Sequence, residues 1–457
     1  MQINPKYQNN PAFNKALLAH SEVTPAKKSA PLGKISNSYS ATEKEGSTDT
    51  AKKQKHKKQR YKTQSIIQKI LADCSGNWRT VGCGKKRISA KIAVGVKFNH
   101  VHNSANFVNL QQCRSVWLCP VCSEKIARKK KEQIERILIV MQKHGIKAHM
   151  VTLTAPHSIK DDLKTLLVKL DNARKKFFGD RKSIKTWDSI FSTIGHITST
   201  EFKYSDQNGW HPHFHIIVFT KESYTEQEIK GTLSLKNINS VGVFGIQHKL
   251  CGLWADCCEK SGLKRPSLEH GLDIKRGYDD AEKNDAKALV NYTLKAMLAN
   301  ELALSNCKTG RFNTDSLTPF EIALLAENEK DFENENSKFS RLFYEYAVCS
   351  KNRNQSKQSP KLVKFLKENG LLEKSDEELI SESDEKENEE SKLVYELEQN
   401  EWRLLCSDFE SRGKFLVLIE QDIYEFGIAT TKFPRADSFL NRLLGVEGEN
   451  SPLLMNF

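Results

Sequence analysis

The sequence lacks any run of about 18 apolar residues, so no membrane-spanning helix is expected. Met1 to His20 has no apolar stretch of the kind a secretory signal carries, so the expected location is cytoplasmic, with reduced thiols. No Gly-x4-Gly-Lys-Ser/Thr loop occurs, which argues against a built-in nucleotide-driven helicase. No internal repeat is apparent. Apolar residues are modest in supply, at 38% with a mean hydropathy of −0.57. Over 457 residues this still allows two or three domains and a sizeable core, while a charged fraction of 28% requires large solvated parts. Charge is not balanced. A formal net charge of +14 favours an acidic partner, most simply nucleic acid, because Lys and Arg displace counterions from phosphates.

Composition divides the chain. Residues 1–66 are dominated by Ser, Asn, Lys and Thr without apolar periodicity and read as a disordered basic arm. Its run Lys52, Lys53, Lys55, Lys57, Lys58, Arg60 and Lys62 is either a solvated tail or a phosphate-tracking arm. Residues 67–145 form a cysteine-rich module ending in a basic helix, Ser123 to His144, striped by Ile126, Ile134, Ile137, Leu138 and Met141. Residues 146–330 alternate strands and helices: a strand at Ala148–Ala155, a charged helix from about Asp161 to Phe178, and strands at Thr193–Tyr204 and His211–Thr220. Helical pieces over Tyr224–Ser261, a short strand at Leu272–Arg276 and a long helix over Asp279–Leu304 follow. Residues 331–457 read as a charged, mostly helical region of unknown role. Within it Glu373–Glu401 holds thirteen acidic residues against three basic ones and reads as a solvated helix or linker.

The chain has 11 cysteines, and in a reducing compartment clustered cysteines point to metal rather than to disulfides. Cys113-x5-Cys119-x2-Cys122, with Pro120 inside the last pair, has the look of a zinc knuckle. Cys83, in Gly82-Cys83-Gly84, is the first choice for a fourth ligand; His100, His102 and Cys74 are rivals. With no general base nearby, the site reads as structural Zn²⁺.

The sharpest motif is Trp210-His211-Pro212-His213-Phe214-His215-Ile216. On a strand alternate residues share a face, so His211, His213 and His215 point one way and Phe214 and Ile216 the other. Neutral imidazoles so presented would hold a divalent ion with open positions. A carboxylate would suit Mg²⁺ or Mn²⁺, and Glu201, across the turn Ser205–Gly209 on the preceding strand, is placed to supply it. On the helix Ala288–Lys295, Tyr292 and Lys295 are three residues apart and neighbours on one face, where the lysine can lower the phenol pKa and hold a phosphate.

In this order, these segments resemble the rolling-circle plasmid replication initiators of the HUH endonuclease superfamily. The likeness runs from about Cys83 to Glu327. It takes in the cysteine string, Met150–Ala155, Asn208–His215, Ala288–Lys295, Lys308-Thr309-Gly310-Arg311 and Thr318-Pro319-Phe320-Glu321. The resemblance implies an α+β fold, a ferredoxin-like or RRM-like antiparallel sheet with helices against it, preceded here by the zinc-binding module and followed by the helical tail. It implies His213 and His215 as metal ligands, Tyr292 as the nucleophile that nicks origin DNA, and a host helicase and DNA polymerase as partners. One position departs from it: Ala288 stands where some relatives carry a glutamate that ends the reaction. The rival readings are a transposase or mobilisation relaxase of the same chemistry, and a zinc-dependent DNA-binding regulator without catalysis.

Overall fold

The computed structural model describes residues 46–445 except residues 75, 232–244, 279–315, 329–336 and several positions between 372 and 388. The segment expected to carry Tyr292 and Lys295, together with Ala288, lies outside the described residues. The fold is α+β, with two antiparallel sheets and helices packed on both faces of the larger.

The chain enters on a helix, α1 (Gly46–Ala72). This corrects the reading of residues 46–66 as part of a disordered arm. Amphipathic periodicity is weak there because cations serve as packing residues. Lys57 is buried and bonded to Glu420 and to the Ala105 carbonyl, Arg60 pairs with Glu124, and Lys62 reaches Glu327 and Glu410. A 3₁₀ turn (Arg79–Gly82) leads to β1 (Val94–Asn99) and β2 (Ser104–Val108). Helix α2 (Pro120–Lys143) opens on Pro120, whose fixed φ and missing N–H suit a first helical position. Its buried stripe Ile134, Ile137, Leu138 and Met141 packs on Ala148, Met150, Ile217 and Phe219 of the larger sheet.

That sheet is built from β3 (Lys147–Leu153), β4 (Thr193–Ser205), β5 (Gly209–Thr220) and β6 (Leu272–Tyr278), in the order β6-β3-β5-β4. Between β3 and β4 lie α3 (Leu163–Gly179) and α4 (Arg181–Phe191); between β5 and β6 lie α5 (Glu226–Lys230) and α6 (Ile246–Glu259). Val151, Leu153, Phe214, Ile216 and Val218 make one face apolar, and α3, α4 and α6 cover it with Leu166, Leu170, Phe177, Trp187, Leu250 and Trp254. The other face takes the stripe of α2 and the odd-numbered residues of β5, including the histidines. After α7 (Pro319–Ala326) and α8 (Lys338–Ser350), the edge strand β7 (Ser356–Gln358) joins β4, and α9 (Pro360–Glu368) covers the α2 side with Leu362 and Leu366.

The final segment corrects a second expectation. Inside the acidic stretch, β8 (Ser391–Leu397) is a strand, paired antiparallel with β1. Helices α10 (Gln399–Ser407), α11 (Ser411–Phe426) and α12 (Pro434–Leu444) then close over it. Val94, Val96 and Phe98 share a core with Leu397, Trp402, Phe415, Leu416, Ile419 and Leu440. The C-terminal region therefore shares its core with the first described residues, across the boundary drawn at residue 330. Among the described residues no helix is long and apolar enough to cross a membrane.

Candidate functional site

The turn at Ser205–Gly209 sets one site. Gly209 has φ +74°, and a Cβ there would meet Ile159 Cα at 2.9 Å, so only glycine allows the loop after β3 to approach so closely. The hairpin register places Glu201 opposite His213, Ser199 opposite His215 and Lys203 opposite His211. Strand β3 adds Thr152 opposite His215 from the other side.

Glu201 Oε2 lies 3.0 Å from His213 Nε2 and 2.8 Å from His215 Nε2, and the two Nε2 atoms are 3.2 Å apart. All three side chains are buried. His213 Nδ1 lies 3.3 Å from the His211 carbonyl, and His215 Nδ1 3.3 Å from Thr152 Oγ1. With Nδ1–H donating to a carbonyl, Nε2 carries the lone pair, which is the nitrogen a metal binds. Lone-pair atoms converging on a carboxylate repel one another unless a cation lies among them. Adjacent ligands on an octahedral ion with bonds of about 2.1 Å lie ~3.0 Å apart, so the three atoms fit one face of such an ion and leave the other face open. Two imidazoles and a carboxylate suit a divalent cation that also takes oxygen ligands.

His211, grouped above with the metal residues, stands outside this set. Its Nδ1 lies 3.2 Å from His157 Nδ1. Burial first, then the neighbouring His213, His157 and Lys203, push His211 down to about 3, so it is neutral at physiological pH. His157 was not singled out in the sequence because it lies in a loop with no spacing to the other histidines. Lys203 Nζ lies 3.7 Å from Glu201 Oε1 at the exposed side of the cluster. Tyr204 packs on Trp210 in the core of the opposite face, away from the triad.

The cysteines form a second cluster. Gly84 donates to the Gln111 carbonyl (2.8 Å) and Gln111 to that of Lys86 (2.8 Å), a short ladder that brings Cys83 beside Cys113. Cys119 caps α2 and Cys122 sits in its first turn. Sulfur separations are 3.7 Å for Cys83–Cys119, 3.7 Å for Cys83–Cys122 and 3.8 Å for Cys113–Cys122. A disulfide needs about 2.0 Å, whereas four sulfurs about 2.3 Å from one tetrahedral Zn²⁺ lie ~3.8 Å apart. Of the rivals, His102 is exposed near Glu390, His100 is exposed, and Cys74 is outside the cluster. Gln64, buried, donates from Nε2 to Cys119 Sγ (3.2 Å) and lies 3.7 Å from Cys83 Sγ.

Arg412 of α11 adds an electrostatic argument. It is 1% exposed, and among the described residues its guanidinium bonds only neutral acceptors: the Gly84 carbonyl at 2.8 Å, Ser65 Oγ at 2.8 Å and Gln68 Oε1 at 3.2 Å. A buried cation needs a compensating charge. Four thiolates around Zn²⁺ would carry a net −2 and adjoin Gly84 through Cys83, so a metal-loaded cluster would supply it.

Residues 105–232 match the model of a family described as "Replication protein". A protein named "Protein rep" from Streptomyces lividans is 28% identical over 243 residues, covering 47% of this chain and 53% of that one. A "Neomycin resistance protein" from Streptomyces cyanogenus is 28% identical over 154 residues, 28% of this chain and 35% of that protein. A "Protein rep" from Lentilactobacillus hilgardii is 27% identical over 109 residues, 23% of this chain and 33% of that one. The chain thus spans about half, or less, of the length of these curated relatives. No solved structure matches.

Proposed function

We propose, from the match of residues 105–232 to the model of the replication protein family, a plasmid replication initiator that binds its origin DNA and nicks one strand with Tyr292. The observation that carries the nicking step is the convergence of Glu201, His213 and His215 from two adjacent strands, within the family segment. The β6-β3-β5-β4 order, with helices between β3 and β4 and between β5 and β6, supports reading the larger sheet as the ferredoxin-like core of an HUH endonuclease.

On this reading Glu201, His213 and His215 hold Mg²⁺ or Mn²⁺, which when bound polarises a non-bridging oxygen of the scissile phosphate. Thr152 and the His211 carbonyl keep both imidazoles turned to the ion. Lys203 offers a positive charge to the entering phosphate. The Tyr292 oxygen forms a bond to phosphorus as the P–O3′ bond breaks. The phenol proton ends on the departing 3′-oxygen, leaving a free 3′-hydroxyl and a 5′-phosphotyrosine. Lys295, three residues further along the sequence, steadies the phosphate oxygens. The phosphotyrosine conserves the bond energy, so no nucleotide is consumed. The primer would pass to a host polymerase, and a host helicase would open the duplex. Cys83, Cys113, Cys119 and Cys122 hold a structural Zn²⁺.

Incubating the chain's own supercoiled replicon with Mg²⁺ or Mn²⁺ tests the proposal. Open circles cut at one mapped position are expected, and His213→Ala should remove cutting while origin binding persists, because binding rests on basic surface rather than on the ion. Duplex binding without cutting in either ion would favour the non-catalytic regulator.

A further inference from the structure

The cysteine module carries a cleft that the nicking chemistry does not use. It opens beside Cys83, has a volume of about 900 Å³, and shares no lining residue with the Glu201–His213–His215 triad. Arg79, Lys85, Lys86 and Arg114 line it, with the amide of Gln111 and the exposed side chain of Ile88 at its edge, and no acidic residue does. Elsewhere in the described chain, basic residues are commonly spent on internal partners, as in α1. These four form no ion pair with a carboxylate among the described residues. The cysteine cluster at Cys83 already faces the buried Arg412, and four further cations with no carboxylate among them favour the entry of an anion.

The cleft is also held rigid. Its wall from Cys83 to Lys86 is fixed by the cysteine cluster, by the ladder to Gln111, by Arg412 donating to the Gly84 carbonyl and by Trp402 Nε1 donating to the Lys85 carbonyl at 3.0 Å. Two of these clamps come from the C-terminal helices α10 and α11. Arg114 sits one residue after Cys113, in a left-handed conformation (φ +56°). The cysteine cluster and the tail thus preorganise the wall that carries these cations, which lowers the ordering cost of contacting a polyanion.

We infer that this cleft seats the phosphate backbone of duplex origin DNA, as an anchor separate from the nicking site. The inference rests on the proposed function for the identity of the DNA and deepens it by naming where the duplex is held. The contacts are to phosphates, so they add affinity and register rather than base readout.

The test uses the full chain and a fluorescent duplex from its own replicon, with affinity measured across a series of salt concentrations. Each phosphate contact contributes about 0.9 to the slope of log affinity against log salt, so the variant Arg79→Ala/Lys86→Ala/Arg114→Ala should flatten that slope by roughly 2 to 3. A control, Lys361→Ala/Lys364→Ala/Lys367→Ala, removes equal charge from α9 and should change the slope by less than one contact. An unchanged slope in the cleft variant at unchanged zinc content would overturn the inference, as would an equal loss in the control. A loss seen only with double-stranded RNA of the same sequence would show the occupant to be wrong. Adduct formation on Tyr292 by the unmodified protein is scored separately. An adduct with an unaltered slope sinks the cleft alone, and a flattened slope without any adduct sinks the nicking proposal alone.

Discussion

At the scale of single residues, chemistry is set by what each polar group touches. Gln64 is buried with its amide nitrogen on two cysteine sulfurs. Partners of this kind fix and stabilise thiolates, and losing one typically costs about 10- to 100-fold in metal affinity. Gln64→Leu should therefore release zinc to a chelator at a 10- to 100-fold lower chelator concentration while keeping about one zinc per chain when none is present. Unaltered chelator resistance would show that Gln64 only packs. His149, 1% exposed, faces Phe191 at 5.0 Å, and burial pushes it down to about 4. An unfolded histidine titrates near 6.5. Its folded pKa is depressed, so the stability is fully present above pH 6.5 and is lost as pH falls toward 4. Between pH 7 and 4.5 the loss from this residue is about 2 to 3 kcal/mol. Denaturant titration of His149→Phe at the two pH values should show a fall smaller by about that amount; an equal fall in both proteins would assign the acid sensitivity elsewhere. The alternation in His211-Pro212-His213-Phe214-His215 made the shared face legible, because strand period needs no tertiary knowledge. The separation of His211 from the pair was not legible, because it depends on His157 arriving from another loop.

At the scale of elements, the helices and strands of the middle of the chain follow local pattern, and the ends do not. Strands β4 and β5 were visible as two Thr/Val/Ile-rich runs around a polar turn, and α2 as an apolar stripe on a basic helix. Helix α1 hid because its inward positions include Lys57 and Arg60, whose partners Glu420 and Glu124 lie far away in sequence. Strand β8 hid for a related reason. It lies against β1, in a stretch so acidic that its apolar run Leu393-Val394-Tyr395 was outweighed. Ending the chain after Leu371 would remove β8, α10, α11 and α12. It would leave Val94, Val96 and Phe98 without their covering layer and the Cys83–Lys86 loop without Arg412 and Trp402. Each large core side chain removed costs about 3–5 kcal/mol, more in sum than a typical domain's whole stability. The truncated protein should lose its zinc and be cut by protease within residues 46–110. A truncated chain that retains zinc and resists protease would contradict this packing account.

At the scale of the whole molecule, two preorganised sites sit on one connected frame. Helix α2 begins at Cys119 and Cys122 and ends packed on the sheet that carries Glu201, His213 and His215. The cysteine module and the triad are therefore linked by a single helix. The order of motifs made the placing of the cysteine string ahead of the histidine strand readable, whereas the joining of the first and last described segments around the cysteine module was not, since strand partners this distant leave no periodic trace. On the proposed reading the triad serves Tyr292, within the segment Ala288–Lys295. The most direct measurement incubates labelled single-stranded origin DNA with the protein and Mn²⁺, isolates the denaturant-resistant adduct, and maps the modified peptide. The account predicts the nucleotide on Tyr292, with no adduct from Tyr292→Phe or His213→Ala. An adduct that persists in Tyr292→Phe and maps to Tyr204 or Tyr278, or the absence of any adduct from protein that binds the same DNA, would contradict it.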